Sequence, residues 1–213
     1  MGHPGDVAKE ACVQAGCGAD WALWDAQMAN ALKQKRYRHS LAVADTAVGM
    51  GRLFGGDLGK LAIAGLLHDG AKELGDAKLL AIGEKEGLIR DPAERANPSL
   101  LHGPVAAWMA PQTWRVDDPV ILDAIRLHTT GAPGMGKEAC IVFMADLIEP
   151  GRVYPDVVIL RKLCGEDLRE AMMEAIQQTF VYLAQKDQPI HGATRLCLDW
   201  LQHERSPIWK AKI

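Results

Sequence analysis

An all-α fold is what this chain predicts, and three observations carry that reading. Apolar residues recur at three- and four-residue steps through most of its 213 residues. No long stretch alternates with the two-residue period of a strand. Glycine, proline and aspartate punctuate the periodic runs where helices would start and stop. With 48% hydrophobic and 24% charged residues, the chain can bury one sizeable core. No internal repeat, low-complexity tract or linker divides it. One domain over residues 21–213 is expected, preceded by a mobile extension at residues 1–20.

The extension lacks the basic and apolar regions of a secretion signal. Trp21 and Trp24 either anchor its end onto the domain or, if exposed, supply a homodimer contact. From 38 to 54, Leu41, Ala44, Ala47, Val48 and Gly51 share one helix face. Gly55, Gly56 and Asp57 break that run. Residues 58–67 are apolar on nearly every side, which predicts a buried central helix, and Gly70 follows as a stop. A short surface helix is expected at 78–86 and a turn at Asp91-Pro92. Ser99 is read as the cap of a helix from near Leu101, with Pro104 tolerated in its first turn. Asp117-Asp118-Pro119 starts a helix running to His128. Residues 129–136 form the main irregular loop, and the next helix spans 138–148, ended by Pro150-Gly151. Two further helices between 156 and 185 divide near Gly165, and Thr194 is read as the cap of the last.

The formal net charge of −3 lacks the basic footprint of a DNA- or RNA-binding protein. The five cysteines are odd in number and contain no C-x-x-C pair, which fits reduced thiols in a cytoplasm. No apolar run approaches the ~18 residues of a membrane span.

Six residues stand at or near the ends of these helices: His39, His68, Asp69, His102, His128 and Asp146. The adjacency of His68 and Asp69 sets an imidazole beside a carboxylate, able to hold one cation or bridge two. The whole set is large enough for two metals about 3.5–4 Å apart, an arrangement that activates water for attack on phosphorus. A lone histidine on a helix is usually an ordinary surface or core residue, and His3, His191 and His203 are read that way. Asp69 differs because it follows the dry segment Ala64-Gly65-Leu66-Leu67. A carboxylate there is costly unless a positive group compensates it. Lys72 or a cation can do so, and the two are not exclusive. Helix ends gathered on one side of a bundle assemble such sites. No G-x-S-x-G elbow and no cysteine beside a histidine offers a nucleophile.

Around these residues run R-x-x-H at 36–39, L-L-H-D-x-x-K at 66–72, L-H-G at 101–103, A-I-x-x-H-T at 124–129 and A-D-x-I-E-P-x-R at 145–152. In that order and over nearly the whole chain, the sequence resembles the YqeK-type branch of the HD-domain phosphohydrolases, the symmetrical bis(5′-nucleosyl)-tetraphosphatases. The resemblance implies an HD-domain helical bundle with a dinuclear metal site at converging helix ends. It implies two transition-metal ions, iron first, with manganese or cobalt as alternatives. His39, His68, Asp69 and Asp146 would hold one, and Asp69 would bridge to a second held by His102 and His128. Hydroxide from a water shared by the cations would cleave diadenosine tetraphosphate, or a related dinucleoside polyphosphate, into two ADP. Asp69 and Lys72 take the catalytic roles in this scheme. Arg36, Lys72, His102, His128, Thr129 and Arg152 would surround phosphates and nucleotide. The turn at 189–194, through Pro189, Thr194 and free backbone N–H groups, would contact the nucleotide. Arg126 is expected to point elsewhere.

The implied partner is a small dinucleotide, with no nucleic acid or membrane and with a homodimer left open. The chain departs from the family pattern at Gly70, Gly136 and Leu147, where an apolar residue, a serine and an aromatic are usual. The H…HD…D core alone also accommodates another HD nucleotidase or phosphodiesterase, or a non-catalytic nucleotide-sensing module.

Overall fold

The structure, a computed structural model, describes residues 2–204 and 209–211. Among these, the helices in chain order are α1 (Asp6–Gln14), α2 (Gly18–Ala31), α3 (Gln34–Phe54), α4 (Leu58–Leu67), α5 (Asp76–Lys85), α6 (Pro92–Ala96), α7 (His102–Thr113), α8 (Pro119–Leu127), α9 (Lys137–Ile148), α10 (Val157–Leu163), α11 (Leu168–Gln185) and α12 (Gly192–His203). Two 3-10 turns, Lys72–Leu74 and Pro98–Leu101, lie between them. The all-α expectation holds: the described residues contain only one isolated β-bridge, between Asp167 and Lys210.

The buried central helix is α4. Its residues from Leu61 to Leu67 are all buried, and α1, α3, α8 and α9 surround it. The Asp57 carboxylate caps its start by accepting from the Lys60 amide at 3.0 Å. α3 crosses α4 almost backbone to backbone, because a Cβ on Gly65 would come within 2.6 Å of the Ala44 Cα. His39 stands five residues before Ala44 and His68 three after Gly65. The crossing therefore carries the start of α3 and the end of α4 to the same side of the bundle. Asp118 caps α8 as expected, accepting from the Val120 and Ile121 amides at 2.9 and 3.3 Å. Lys60 of α4 pairs with the same carboxylate at 2.8 Å. That bridge ties the starts of α4 and α8 together, so that both helices point their C-termini at one place.

Two expectations need correction here, and an open choice at Trp21 and Trp24 is settled. α3 begins at Gln34, four residues before the periodic run, with Arg36 and His39 inside its first two turns. Residues 6–14, expected to be mobile, dock as α1, with Ala8 and Cys12 fully buried. The reason lies far along the chain. α1 has no side-chain cap of its own, and Asp45 of α3 supplies it by accepting from the Gly5 and Ala8 amides at 2.7 and 2.9 Å. Trp21 and Trp24 resolve as anchors within α2, 2% and 6% exposed. The Trp24 indole N–H donates to the Trp114 carbonyl at 2.8 Å, so neither ring offers a surface for a second copy.

Asp45→Ala, by removing both capping bonds, is expected to cost about 0.5–2 kcal/mol of unfolding free energy and to accelerate amide exchange across α1. Protection equal to the parent chain in hydrogen-exchange mass spectrometry would count against the cap.

Candidate metal centre

The six expected ligand residues meet at one end of the bundle, and the carboxylate of Asp69, 2% exposed, lies at their centre. Its two oxygens face different partners. Oδ2 lies 3.4 Å from His68 Nε2 and 3.8 Å from His39 Nε2. Oδ1 lies 3.2 Å from His102 Nε2 and 3.9 Å from His128 Nε2. Asp146 completes the first group, its Oδ1 at 2.8 Å from His39 Nε2 and 3.9 Å from His68 Nε2.

Each ring is aimed by a bond at its other nitrogen. His68 Nδ1 is 2.7 Å from the Gly65 carbonyl, His102 Nδ1 2.5 Å from that of Ser99, and His128 Nδ1 2.7 Å from that of Ile125. In all three cases the carbonyl belongs to the residue three positions earlier. A carbonyl can only accept, so Nδ1 carries the proton and Nε2 presents a lone pair to the centre. His39 Nδ1 lies instead 3.1 Å from Glu149 Oε1. Glu149 is 4% exposed and is steadied by the Gly151 amide. In the sequence Glu149 stands only as one member of the I-E-P-x-R segment, with no role visible from it. The residue it orients is 110 positions away, and nothing local to Glu149 points there.

The result is a buried pocket of acceptors. His102 Nε2 and His128 Nε2 stand 2.8 Å apart, and with both Nδ1 atoms protonated their lone pairs confront each other. His68 Nε2 is fully buried with no hydrogen-bond partner. Such a set is unfavourable unless a cation sits among it. Two groups of donor atoms lie within 4.8 Å of one another: His39, His68 and Asp146, and His68, Asp69 and His128. Burial alone would raise the Asp69 carboxyl, but His68 and His102 hold it well below the ordinary carboxylate range. His39, His68 and Arg152 do the same for Asp146 against its own burial. Burial, reinforced by His102 and His128's other neighbour His68, pushes His128 down to about 3. Ionised carboxylates and a neutral imidazole are the forms that ligate metals. These residues fit the implied metals.

The expected substrate contacts divide. Arg36 Nη1 donates to Asp69 Oδ2 at 2.8 Å. Arg152 forms an ion pair with Asp146 Oδ1 and donates from Nε to the Asp146 carbonyl at 2.6 Å. The Thr129 hydroxyl is 3.0 Å from His128 Nε2 and 3.2 Å from His102 Nε2. Lys72 turns away from Asp69; its Nζ donates to Ser99 Oγ at 3.3 Å and sits 3.1 Å from His102 Nδ1. Ser99 is thereby engaged with Lys72 and provides no side-chain cap to α7, which continues directly from a 3-10 turn. Burial, with Arg36 and Arg152 adding to it, lowers the Lys72 ammonium despite Asp69. Arg126 pairs with Asp123 on the surface, as expected. Arg161, which no sequence motif marks, donates to the carbonyls of Ile148, Glu149 and Arg152 and holds the turn that carries the last two.

The turn at 189–194 is the main disagreement. His191, read as ordinary, is the cap of α12: its Nδ1 accepts from the Ala193 amide at 3.1 Å. The Gly192 amide goes to Asp91 Oδ2 at 2.8 Å and the Thr194 amide to the His191 carbonyl. Thr194 donates its hydroxyl to the Thr130 carbonyl at 2.8 Å, and Pro189 is exposed. The amides expected to greet a phosphate are already satisfied, and Thr194 braces the loop beside Thr129 instead. At Gly70, where the family usually has an apolar residue, an added Cβ would come within 2.4 Å of the Trp114 ring. The indole fills that space and supports the Asp69 turn from behind.

Comparison with known proteins now decides the family. The HD domain is matched over residues 36–151, a span that begins at Arg36 and contains all six candidate ligands. The chain belongs to the HD-domain family. It is 38% identical over 170 residues to the symmetrical bis(5′-nucleosyl)-tetraphosphatase of Bacillus subtilis, covering 80% of this chain and 91% of the relative. Against the Staphylococcus aureus protein of the same name, identity is 35%, covering 83% and 92%. The crystal structure of a predicted HD superfamily hydrolase involved in NAD metabolism from Clostridium acetobutylicum superposes with a TM-score of 0.84. That match has 36% identity and covers 87% of this chain and 98% of that one. Within the HD-domain family, the chain stands in the branch of the symmetrical tetraphosphatases.

Glu149→Ala is expected to leave the helical fold intact and to weaken metal binding by about 10–100-fold, the usual effect of losing a carboxylate behind a ligating imidazole. Titration of metal-free protein with iron(II) or manganese(II) checks it; affinity equal to the parent would return Glu149 to a purely structural role.

Proposed function

We propose that this chain hydrolyses dinucleoside tetraphosphates symmetrically, converting diadenosine tetraphosphate into two ADP. The observation that carries the reading is the single buried carboxylate of Asp69, which offers one oxygen to His39 and His68 and the other to His102 and His128. The Bacillus and Staphylococcus relatives, matched over most of their length, support the same activity.

His39, His68, Asp69 and Asp146 would hold one divalent metal, and Asp69, His102 and His128 the other. Imidazoles mixed with carboxylates suit iron, with manganese or cobalt as alternatives. Such a pair supplies hydroxide near neutral pH and takes up charge on the phosphoryl oxygens. Asp69 thus has its catalytic role by position, between the two groups.

The remaining residues bind and orient. Arg36 and Arg152 are held by Asp69 and Asp146. Once those carboxylates share their charge with metals, both guanidiniums can turn part of their donor fork toward phosphate. Lys72 stands half-buried beside His102, placed to donate a hydrogen bond to an inner phosphate. The Thr129 hydroxyl offers another donor on the His102–His128 side. Thr194 is left with a supporting part, through Thr130, and Pro189 stays exposed.

The substrate is a small molecule. The described residues contain no helix long and apolar enough to cross a membrane, and the five cysteines are unbridged, which supports a reducing, cytoplasmic setting. A nucleotide-sensing module would bind without turnover, and another HD nucleotidase or phosphodiesterase would not give ADP alone.

Asp69→Ala is expected to lower metals per chain and to abolish ADP release; elemental analysis on the assayed sample checks both, and normal turnover would end the two-metal reading. Arg152→Ala is expected to keep its metals and to raise KM by roughly tenfold, the scale of one charge-assisted phosphate contact. Unchanged kinetics would remove Arg152 from substrate binding.

A further inference from the structure

A groove of about 1380 Å³ opens on the His39 side of the metal centre. Ordinary small-molecule sites span roughly 300–1,000 Å³, so this one has room for more than the reacting phosphates. Its first wall is the N-terminal end of α3, which carries four cationic residues, Lys33, Lys35, Arg36 and Arg38. Two are already engaged, Lys33 with Glu73 at 3.1 Å and Arg36 with Asp69 at 2.8 Å. Lys35 and Arg38 are exposed, and among the described residues neither has an ion-pair partner. The second wall is the turn after α9, where Val153 is 92% exposed and Tyr154 lies beside it.

The third wall comes from the extension. Gly2, His3 and Pro4 line the groove, and the chain just behind them is fixed. Gly5 has φ 95° and lies so close to Leu41 that a Cβ there would come within 2.7 Å of its Cδ2. Few residues other than glycine fit that conformation, and a side chain there would oblige Leu41 to shift. Asp45 holds the same segment through the Gly5 and Ala8 amides. The wall is therefore a fastened part of the bundle.

Cationic groups on one side and apolar or ring surfaces on the other match the two chemistries of a nucleotide. Lysine and arginine meet phosphates, while rings and apolar side chains take a base by its face. Symmetrical cleavage requires a nucleoside on each side of the reacting phosphorus. We propose that this groove seats the second nucleoside diphosphate of the substrate, with Lys35 and Arg38 on its phosphates and residues 2–4 closing over its base. The assignment rests on the hydrolase reading above.

The test compares diadenosine tetraphosphate with adenosine 5′-tetraphosphate, which keeps four phosphates and lacks the second nucleoside. Removing residues 2–4 is expected to raise KM for the dinucleotide by roughly tenfold, the low end of a stacked base's contribution. KM for adenosine 5′-tetraphosphate, kcat and metal content are expected to stay at the parent's values. Lys35→Ala with Arg38→Ala is expected to raise KM for both substrates, because both carry the phosphates. Each variant alters only exposed residues, so both are expected to melt with the parent. An unaltered preference between the two substrates in the trimmed chain, or an unaltered KM in the double variant, overturns the groove assignment while parent turnover leaves the activity standing. A parent chain that releases no ADP overturns both.

Discussion

The buried carboxylate of Asp69 is the constraint around which the rest is arranged. A negative charge placed at the dry end of α4 is expensive without compensation. Here the Arg36 guanidinium compensates it on one oxygen, and the imidazoles of His39, His68, His102 and His128 gather around both from the ends of α3, α4, α7 and α8. Each partner has to arrive on the correct oxygen, which fixes where α3, α7 and α8 end relative to α4. The close crossing at Gly65 and Ala44 and the bridge from Lys60 to Asp118 are the packing features that bring those ends together.

The same arrangement is costly to the empty chain. Three imidazoles give their Nδ1 protons to their own backbone and present bare nitrogens to one another and to carboxylates. Cations relieve that repulsion, so metal binding contributes to the stability of the folded state as well as to chemistry. A site of this kind trades stability of the metal-free fold for ligands that need no rearrangement when metal arrives.

The outer parts of the molecule follow from how the centre is braced. Arg161 ties down the turn bearing Glu149 and Arg152, Trp114 fills the space over Gly70, and Thr194 reaches back to the loop after Thr129. At the other edge, Asp45 draws the N-terminal segment onto α3, next to the residue that Glu149 orients. The third wall of the groove and His39 are thus held by neighbouring parts of one helix.

Much of this was legible in the chain. Helical periodicity, the helix start at Asp118, the uniformly apolar run of α4 and the ordered histidines and aspartates are local patterns, and local patterns survive without knowledge of the fold. They determined an all-α bundle with its ligands at helix ends. Three things were decided only in three dimensions. Asp45 caps α1, a helix that ends well before it in the chain, His191 and not Thr194 caps α12, and Glu149 finds His39 across 110 residues. The Asp45 and Glu149 contacts are hydrogen bonds between atoms whose proximity is set by packing, so the residue type is visible in the sequence and its partner is not; the His191 cap is local, and what the fold settles there is that the Thr194 hydroxyl is drawn to the Thr130 carbonyl instead. The tertiary structure, by choosing those partners, turned an ordered list of candidate ligands into a centre with one carboxylate between two groups.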